Sequence, residues 1–179
     1  MQRYHLKTNT LLMLVGQNNT LGEIGLKNIS CCFTGHRQIE AEDEVTIKNK
    51  LLTHLQRLIE LGVKCFYCGG ALGFDTLAAI CVLEKKKIYN DIALIMALPC
   101  KSQSKYFNKY EKQTYEYIIS HADKVIYTSE KYLPGCMLER NKYMVDNCSF
   151  CVCYLRKNVG GTYYTERYAK SHGLDIFYV

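Results

Sequence analysis

Four short segments carry the residue types that hold oxyanions: Thr34-Gly35-His36-Arg37, Gly69-Gly70-Ala71-Leu72-Gly73-Phe74-Asp75, Pro99-Cys100-Lys101 and Gly160-Gly161-Thr162. Three of the four are glycine-bearing turns. Glycine lets backbone N–H groups approach a phosphate oxygen, and a helix N-terminus directs partial positive charge at it. Taken singly, such a turn is often only a steric necessity. Several at one sheet edge make an anion site. His36 has the ordinary pKa of a general acid or base, but no carboxylate is evident to orient it, so a bond to a ligand phosphate or a hold on its own turn is the favoured role. No G-x-x-x-x-G-K-[ST] run occurs, and Gly70-Ala71-Leu72-Gly73 lacks the spacing of a dinucleotide fingerprint, which excludes P-loop hydrolysis and conventional hydride transfer.

These turns need elements to position them. From Asn28 the chain alternates short apolar runs with amphipathic stretches. Strands are predicted at Ile29–Phe33, Val63–Tyr67, Ile92–Leu98, Lys124–Tyr127, Phe150–Leu155 and Asp175–Val179. Between them, helical spacing predicts helices over Glu42–Leu61, Asp75–Lys87, Ser104–His121, Met137–Asn147 and Thr162–His172. The near-continuous apolar run Ile92–Leu98 reads as a strand buried on both faces. Alternation of this kind argues for an α/β fold, a doubly wound, mainly parallel sheet with helices on both faces, Rossmann-like. In such sheets ligands bind beyond the carboxyl ends of the strands, where all four segments fall.

The chain has 179 residues, a single domain's worth, with 48% hydrophobic and 22% charged residues, which excludes disorder. Its net charge of +6 suits an anionic ligand but is too mild to imply nucleic acid. The ten cysteines lie mostly within apolar runs and read as small hydrophobes of a reducing, cytoplasmic protein. Cys65-x-x-Cys68 and Cys148-x-x-Cys151 look like zinc knuckles, yet residues three apart in a strand point to opposite faces, so no metal is expected. Lys85-Lys86-Lys87 reads as a solvated helix end. Tyr106, Tyr110, Tyr115 and Tyr117 invite a base-stacking reading, but 106, 110 and 117 share a helical face, and packing onto the sheet is the commoner use of such a stripe. No run approaches the roughly 20 apolar residues of a membrane helix. Residues 1–28, including Leu11–Val15, read as an extension ahead of a single domain over 29–179.

Five blocks then occur in order: CCFTGHR at Cys31–Arg37, CGGALGFDTLAA at Cys68–Ala79, ALPCKSQ at Ala97–Gln103, PGCMLERNKYMVDNC at Pro134–Cys148 and GGTYYTERYA at Gly160–Ala169. Together they resemble the YpsA-like branch of the SLOG superfamily, the Rossmann-like group that also contains DprA and the LOG phosphoribohydrolases. The resemblance implies binding or sensing of a nucleotide or nucleotide-derived ligand, including ADP-ribose derivatives, with no cofactor. It places Gly35, His36 and Arg37 in a first ligand loop and Gly69, Gly70, Gly73 and Asp75 in a second. Arg140 and Asn141 fall on the fourth helix, and Gly160, Gly161, Thr162 and Thr165 in the phosphate-type block. Arg37 and Arg140 then offer forks for phosphate, Thr162 a hydroxyl donor, and Asp75 either a helix cap or an acceptor for a ribose hydroxyl.

The LOG enzymes carry G-G-x-G-T-x-x-E, whose glutamate supports N-glycosidic cleavage. Here Thr165 stands three after Thr162, and Glu166 one further, about 100° around the helix. That departure counts against hydrolysis and leaves Asp75 and Glu166 as the catalytic candidates should any occur. The partners expected are a nucleotide-type small molecule and a second copy of the chain. DprA-like binding of single-stranded DNA is the rival from another class, and no membrane partner is expected.

Overall fold

Each apolar run predicted as a strand forms one, and a helix fills every interval between them. The structure, a computed structural model, describes residues 25–179, so the Leu11–Val15 run and most of the 1–28 extension lie outside the described residues. In chain order the elements are β1 (Ser30–Gly35), α1 (Ala41–Glu60), β2 (Cys65–Cys68), α2 (Phe74–Lys86), β3 (Ala93–Leu98), a 3-10 turn (Gln103–Tyr106), α3 (Lys109–His121), β4 (Lys124–Tyr127), α4 (Cys136–Asp146), β5 (Phe150–Tyr154), α5 (Gly160–Ser171) and β6 (Asp175–Tyr178). The six strands make one sheet in the order β4-β3-β2-β1-β5-β6, every neighbouring pair parallel. The chain winds outward from β1 to β4, then crosses back to lay β5 on the other side of β1. Strand order therefore reverses between β1 and β5, where a doubly wound sheet opens a crevice beyond its strand ends.

Two cores result. Helices α1, α2 and α3 cover one face, and α4 with α5 covers the other. Side chains alternate along each strand. Phe33, Phe66, Leu94, Met96 and Val152 pack under the three helices, whereas Cys32, Ala97, Cys151 and Cys153 face the two. The second face is thus lined by small residues, which lets α4 and α5 sit close with Met144, Val145 and Ala169 against the sheet. Cysteine serves there as a compact hydrophobe, and all ten are free and buried.

The opposite-face expectation fails for Cys148 and Cys151. Cys148 lies in the turn before β5 rather than within it, and both residues join Cys32 in the same cluster. Among the described residues no group of three or more His, Cys, Asp or Glu side chains is arranged to hold a metal ion. None of the described helices is long and apolar enough to cross a membrane.

A second expectation is corrected between β3 and β4. The predicted single helix over 104–121 breaks at Phe107, which is extended, and α3 starts afresh behind Asn108. There a capping box forms: the Glu111 N–H donates to Asn108 Oδ1 at 2.9 Å, and the Asn108 N–H to Glu111 Oε2 at 2.8 Å. The tyrosine stripe therefore does not pack onto the sheet. Tyr106 and Tyr110 are 88% and 78% exposed, and it is Tyr115 that packs against the core. Replacing Asn108 with alanine should lower stability by about 1 kcal/mol in urea melts, the usual cost of a lost cap. No loss would mean that the box does not hold the start of α3.

Candidate ligand-binding site

A cleft of about 310 Å³ opens at the β1/β5 reversal. Its walls come from the end of β1 (Thr34, Gly35), the turn after it (His36, Arg37), Ala71 and Asp75, Met137, Leu138, Arg140 and Asn141 on α4, and Val159 through Thr162. Sequence reasoning named Thr34 and Ala71 within the turns, and Met137 and Leu138 within the fourth block, without giving them a role, and did not name Val159. Their positions beside the glycine turns were the only signal available.

The glycines divide into two groups. A Cβ on Gly35 would overlap the Phe74 ring, one on Gly69 the Arg140 guanidinium, and one on Gly73 the Arg37 carbonyl. One on Gly70 would come within 2.8 Å of Leu98 Cδ2. At these positions the missing side chain makes room for the protein itself. Gly69, Gly70 and Gly73, expected as ligand contacts, do not line the cleft. Gly73, at φ +73°, seats α2 beneath the first turn, and the Phe74 N–H donates to the His36 carbonyl at 3.1 Å. Gly160 and Gly161 differ: a Cβ on either would meet nothing within 4 Å. They form the first turn of α5, whose N-cap residue Val159 supplies no side-chain cap and whose first turn holds no acidic residue. Open space thus faces N–H groups that a helix leaves without internal partners.

The cleft floor is charged. Arg140 is 4% exposed and donates through Nη1 to the carbonyls of Gly69 and Ala97, the latter at 3.3 Å. Its Nε donates to Asn141 Oδ1 at 2.8 Å; Asn141 Nδ2 donates to Thr165 Oγ1 at 2.8 Å, and Thr165 Oγ1 to the Gly161 carbonyl at 2.8 Å. So Nη1 is spent on backbone and Nε on Asn141, while Nη2 makes no hydrogen bond among the described residues. Thr165 is 1% exposed, sits behind the cleft wall and does not line it; it braces Asn141 and the α5 turn instead of contacting a ligand. Asp75, 5% exposed, lines the cleft and accepts from the Ala71 N–H at 3.2 Å through Oδ2. Burial pushes its carboxyl above the usual range, against the pull of the Arg140 charge; burial likewise lowers Arg140, against the pull of Asp75. Arg37 stands exposed at the mouth with no ion pair among the described residues.

His36 and Glu166 are accounted for elsewhere. His36 Nε2 accepts from the N–H groups of Arg156 at 2.9 Å and Lys157 at 3.3 Å, so its lone pair ties the β1 turn to the β5–α5 loop. Partial burial, then the Lys157 and Arg156 charges, hold its pKa below the ordinary value. Glu166 turns from the cleft toward β6, accepting from Tyr178 Oη at 2.5 Å and pairing with Lys170 at 2.5 Å. Burial raises its pKa, but the Lys170 and Tyr178 hydrogen bonds outweigh this and hold the carboxyl below its usual value. As a catalytic candidate for this cleft it is corrected. Asp75 is the one carboxylate among the lining residues.

A parallel six-stranded sheet with helices on both faces and a cleft at its strand-order reversal is a Rossmann-like domain. The comparisons agree. The YpsA family model, described as the YspA SLOG family, matches residues 31–178, and the chain belongs to that family. It is 33% identical over 137 residues to the uncharacterized SPbeta prophage-derived protein YoqJ of Bacillus subtilis (strain 168), covering 69% of this chain and 80% of that protein. A UPF0398 protein of Lysinibacillus sphaericus (strain C3-41) is 26% identical over 127 residues, covering 69% and 71%. Among solved structures, DNA processing protein A (DprA) from Streptococcus pneumoniae superposes with a TM-score of 0.61 at 20% identity, over 86% of this chain and 50% of that one. DprA from Helicobacter pylori, solved to show its single-stranded DNA binding mode, gives 0.61 at 17% identity, over 85% and 65%. This chain spans half to two thirds of those proteins, and the likeness is one of fold.

Removing the Arg140 charge leaves Asp75 buried without its counter-charge and takes one donor from each of the Gly69 and Ala97 carbonyls. Arg140→Ala should cost about 3–5 kcal/mol in chemical denaturation, as for other broken buried charge pairs; a cost near zero would show that neither the charge nor the bonds matter. His36 sets a pH dependence. Its folded pKa lies below the unfolded value of about 6.5, so the unfolded state binds more protons in that window and stability falls as pH drops through it. His36→Gln should flatten the decline in melting temperature between pH 7.5 and 5.5, and an unchanged decline would place its cause elsewhere.

Proposed function

We propose that the chain binds or senses a nucleotide or nucleotide-derived ligand of the ADP-ribose type, with residues 29–179 as the binding unit and no robust catalysis of its own. The observation that carries this reading is the open pair Gly160–Gly161 at the uncapped start of α5, facing a cleft whose mouth holds the unpaired Arg37. A phosphate seated there receives the first N–H groups of α5, the Thr162 hydroxyl and the Arg37 fork. Asp75 then faces the sugar. Its Oδ1 makes no hydrogen bond among the described residues, so it is available to a ribose hydroxyl.

Hydrolysis is disfavoured by the same geometry. Oxocarbenium-like transition states gain several kcal/mol from a fixed, charged carboxylate nearby; Glu166 faces β6 instead, and burial raises the pKa of Asp75, the carboxylate left at the cleft, which disfavours its charged form. Free, buried cysteines suit a reducing cytoplasm. The fold shared with DprA keeps nucleic acid as the alternative, but the cleft is better sized for a small ligand.

Calorimetry with adenosine 5′-monophosphate tests the placement. Gly161→Val puts a branched side chain where the phosphate would sit, and its Cβ meets nothing within 4 Å, so binding should be lost while the melting temperature holds. Arg37→Ala should cost about 1.5–3 kcal/mol of binding, as for hydrogen bonds to charged groups. Equal affinity of the Gly161→Val variant and the natural chain would remove the phosphate from this loop. Release of adenine at around 1 s⁻¹ or faster would make the protein an enzyme within the ordinary range.

A further inference from the structure

We infer that the site has a second compartment, a subsite for the base of the nucleotide, lying across Arg37 from the phosphate turn; this rests on the reading of the first cleft given above. A second cleft of about 580 Å³ adjoins the first and shares Arg37, Ala71 and Met137 with it. The short segment between β3 and α3 supplies Gln103, Lys105, Tyr106 and Phe107, and Tyr132 joins them from the β4–α4 loop.

Three observations give this cleft its chemistry. Tyr106 and Tyr132 are 88% and 62% exposed, so two large rings border a concave surface without packing into any core. Phe107, by contrast, is held edge-on against Tyr115 at 5.6 Å between ring centroids, which anchors the segment. Aromatic faces beside a groove with cations stack planar rings. The cations are present: Lys105 Nζ lies 5.2 Å from the Tyr106 ring centroid, and Arg37 lines both clefts.

Gln103 adds a polar contact. Its Nε2 donates to the Gly69 carbonyl at 3.1 Å. A carbonyl only accepts, so that bond fixes the amide orientation and leaves Oε1 as an acceptor. Oε1 is buried and has no donor among the described residues. An unmet buried acceptor is costly, and an N–H of a bound base would satisfy it. The Gly69 carbonyl also accepts from Arg140, so one atom supports the floor of the first cleft and the wall of the second. The ligand that fits both is a phosphate and a nitrogenous aromatic ring joined by a sugar.

Adenosine 5′-monophosphate and ribose 5-phosphate, which differ by the base, separate the two compartments in calorimetry. The natural chain should bind the nucleotide at least about tenfold more tightly, the scale of one stacked base. The double variant Tyr106→Ala/Tyr132→Ala, altered only at exposed positions, should close that gap while its affinity for ribose 5-phosphate and its melting temperature stay unchanged. Ribose 5-phosphate binding with no gain from the base, or a gap that survives in the double variant, overturns the subsite and leaves the phosphate reading standing. Failure of both probes removes both readings. A thymidine decamer that displaces the nucleotide and binds more tightly would make the tyrosines a single-strand platform and overturn the small-ligand assignment.

Discussion

A single buried cation organises the carboxyl edge of the sheet. Arg140 reaches from α4 to the carbonyls at Gly69 and Ala97, which belong to the ends of β2 and β3. A guanidinium is suited to this because its donors form a rigid plane that satisfies several acceptors at once and it cannot shed its proton in a protein. An ammonium in the same place would be a point charge free to neutralise on burial. Through Asn141 and Thr165 the same network reaches the Gly161 carbonyl, so the turn of α5 is located relative to strands on the other side of β1. Asp75 offsets the charge without forming a direct ion pair, and keeps one oxygen toward the cleft.

That constraint explains the unequal use of glycine. Around Arg140 the chain is packed to the limit, and glycine is required at 35, 69 and 73 because another element occupies the space of a side chain. At 160 and 161 nothing does. The protein has thus built a rigid frame from its first two glycine turns and left the third open. Preorganised N–H groups held by such a frame need no rearrangement to meet an anion, which lowers the cost of binding.

The fold was legible because strands buried on both faces read as continuous apolar runs, as Ile92–Leu98 does, and because every interval between them carried helical spacing. The site was legible as a set of turns but not as a division of labour. A glycine in a sequence says that room is needed and not what fills it, and Arg140 lies 71 residues from Gly69. The tyrosines misled for a related reason. Spacing alone placed Tyr106 on the helix of Tyr110 and Tyr117, whereas the Asn108–Glu111 box, written in the sequence as N-x-x-E, ends that continuity. For His36 the sequence leaves a ligand phosphate and a hold on its own turn as alternatives, because its partners are backbone N–H groups of residues 156 and 157, which no side-chain pattern reveals.

Helix α5 turns two neighbouring residues to different parts of the scaffold. Its residue 165 faces α4 and is held by Asn141, and residue 166, about 100° further round, faces β6. A carboxylate at 165 would stand beside Asn141, behind the cleft wall. Threonine there instead closes a neutral chain of hydrogen bonds that fixes the turn. Glu166 cannot replace it, because its oxygens satisfy Tyr178 and Lys170 and anchor the last strand of the sheet. Turning it inward would break those bonds and swing the side chain through the packed wall between α5 and the sheet. Glu166 is thereby part of the scaffold, and Asp75 is the carboxylate that lines the cleft.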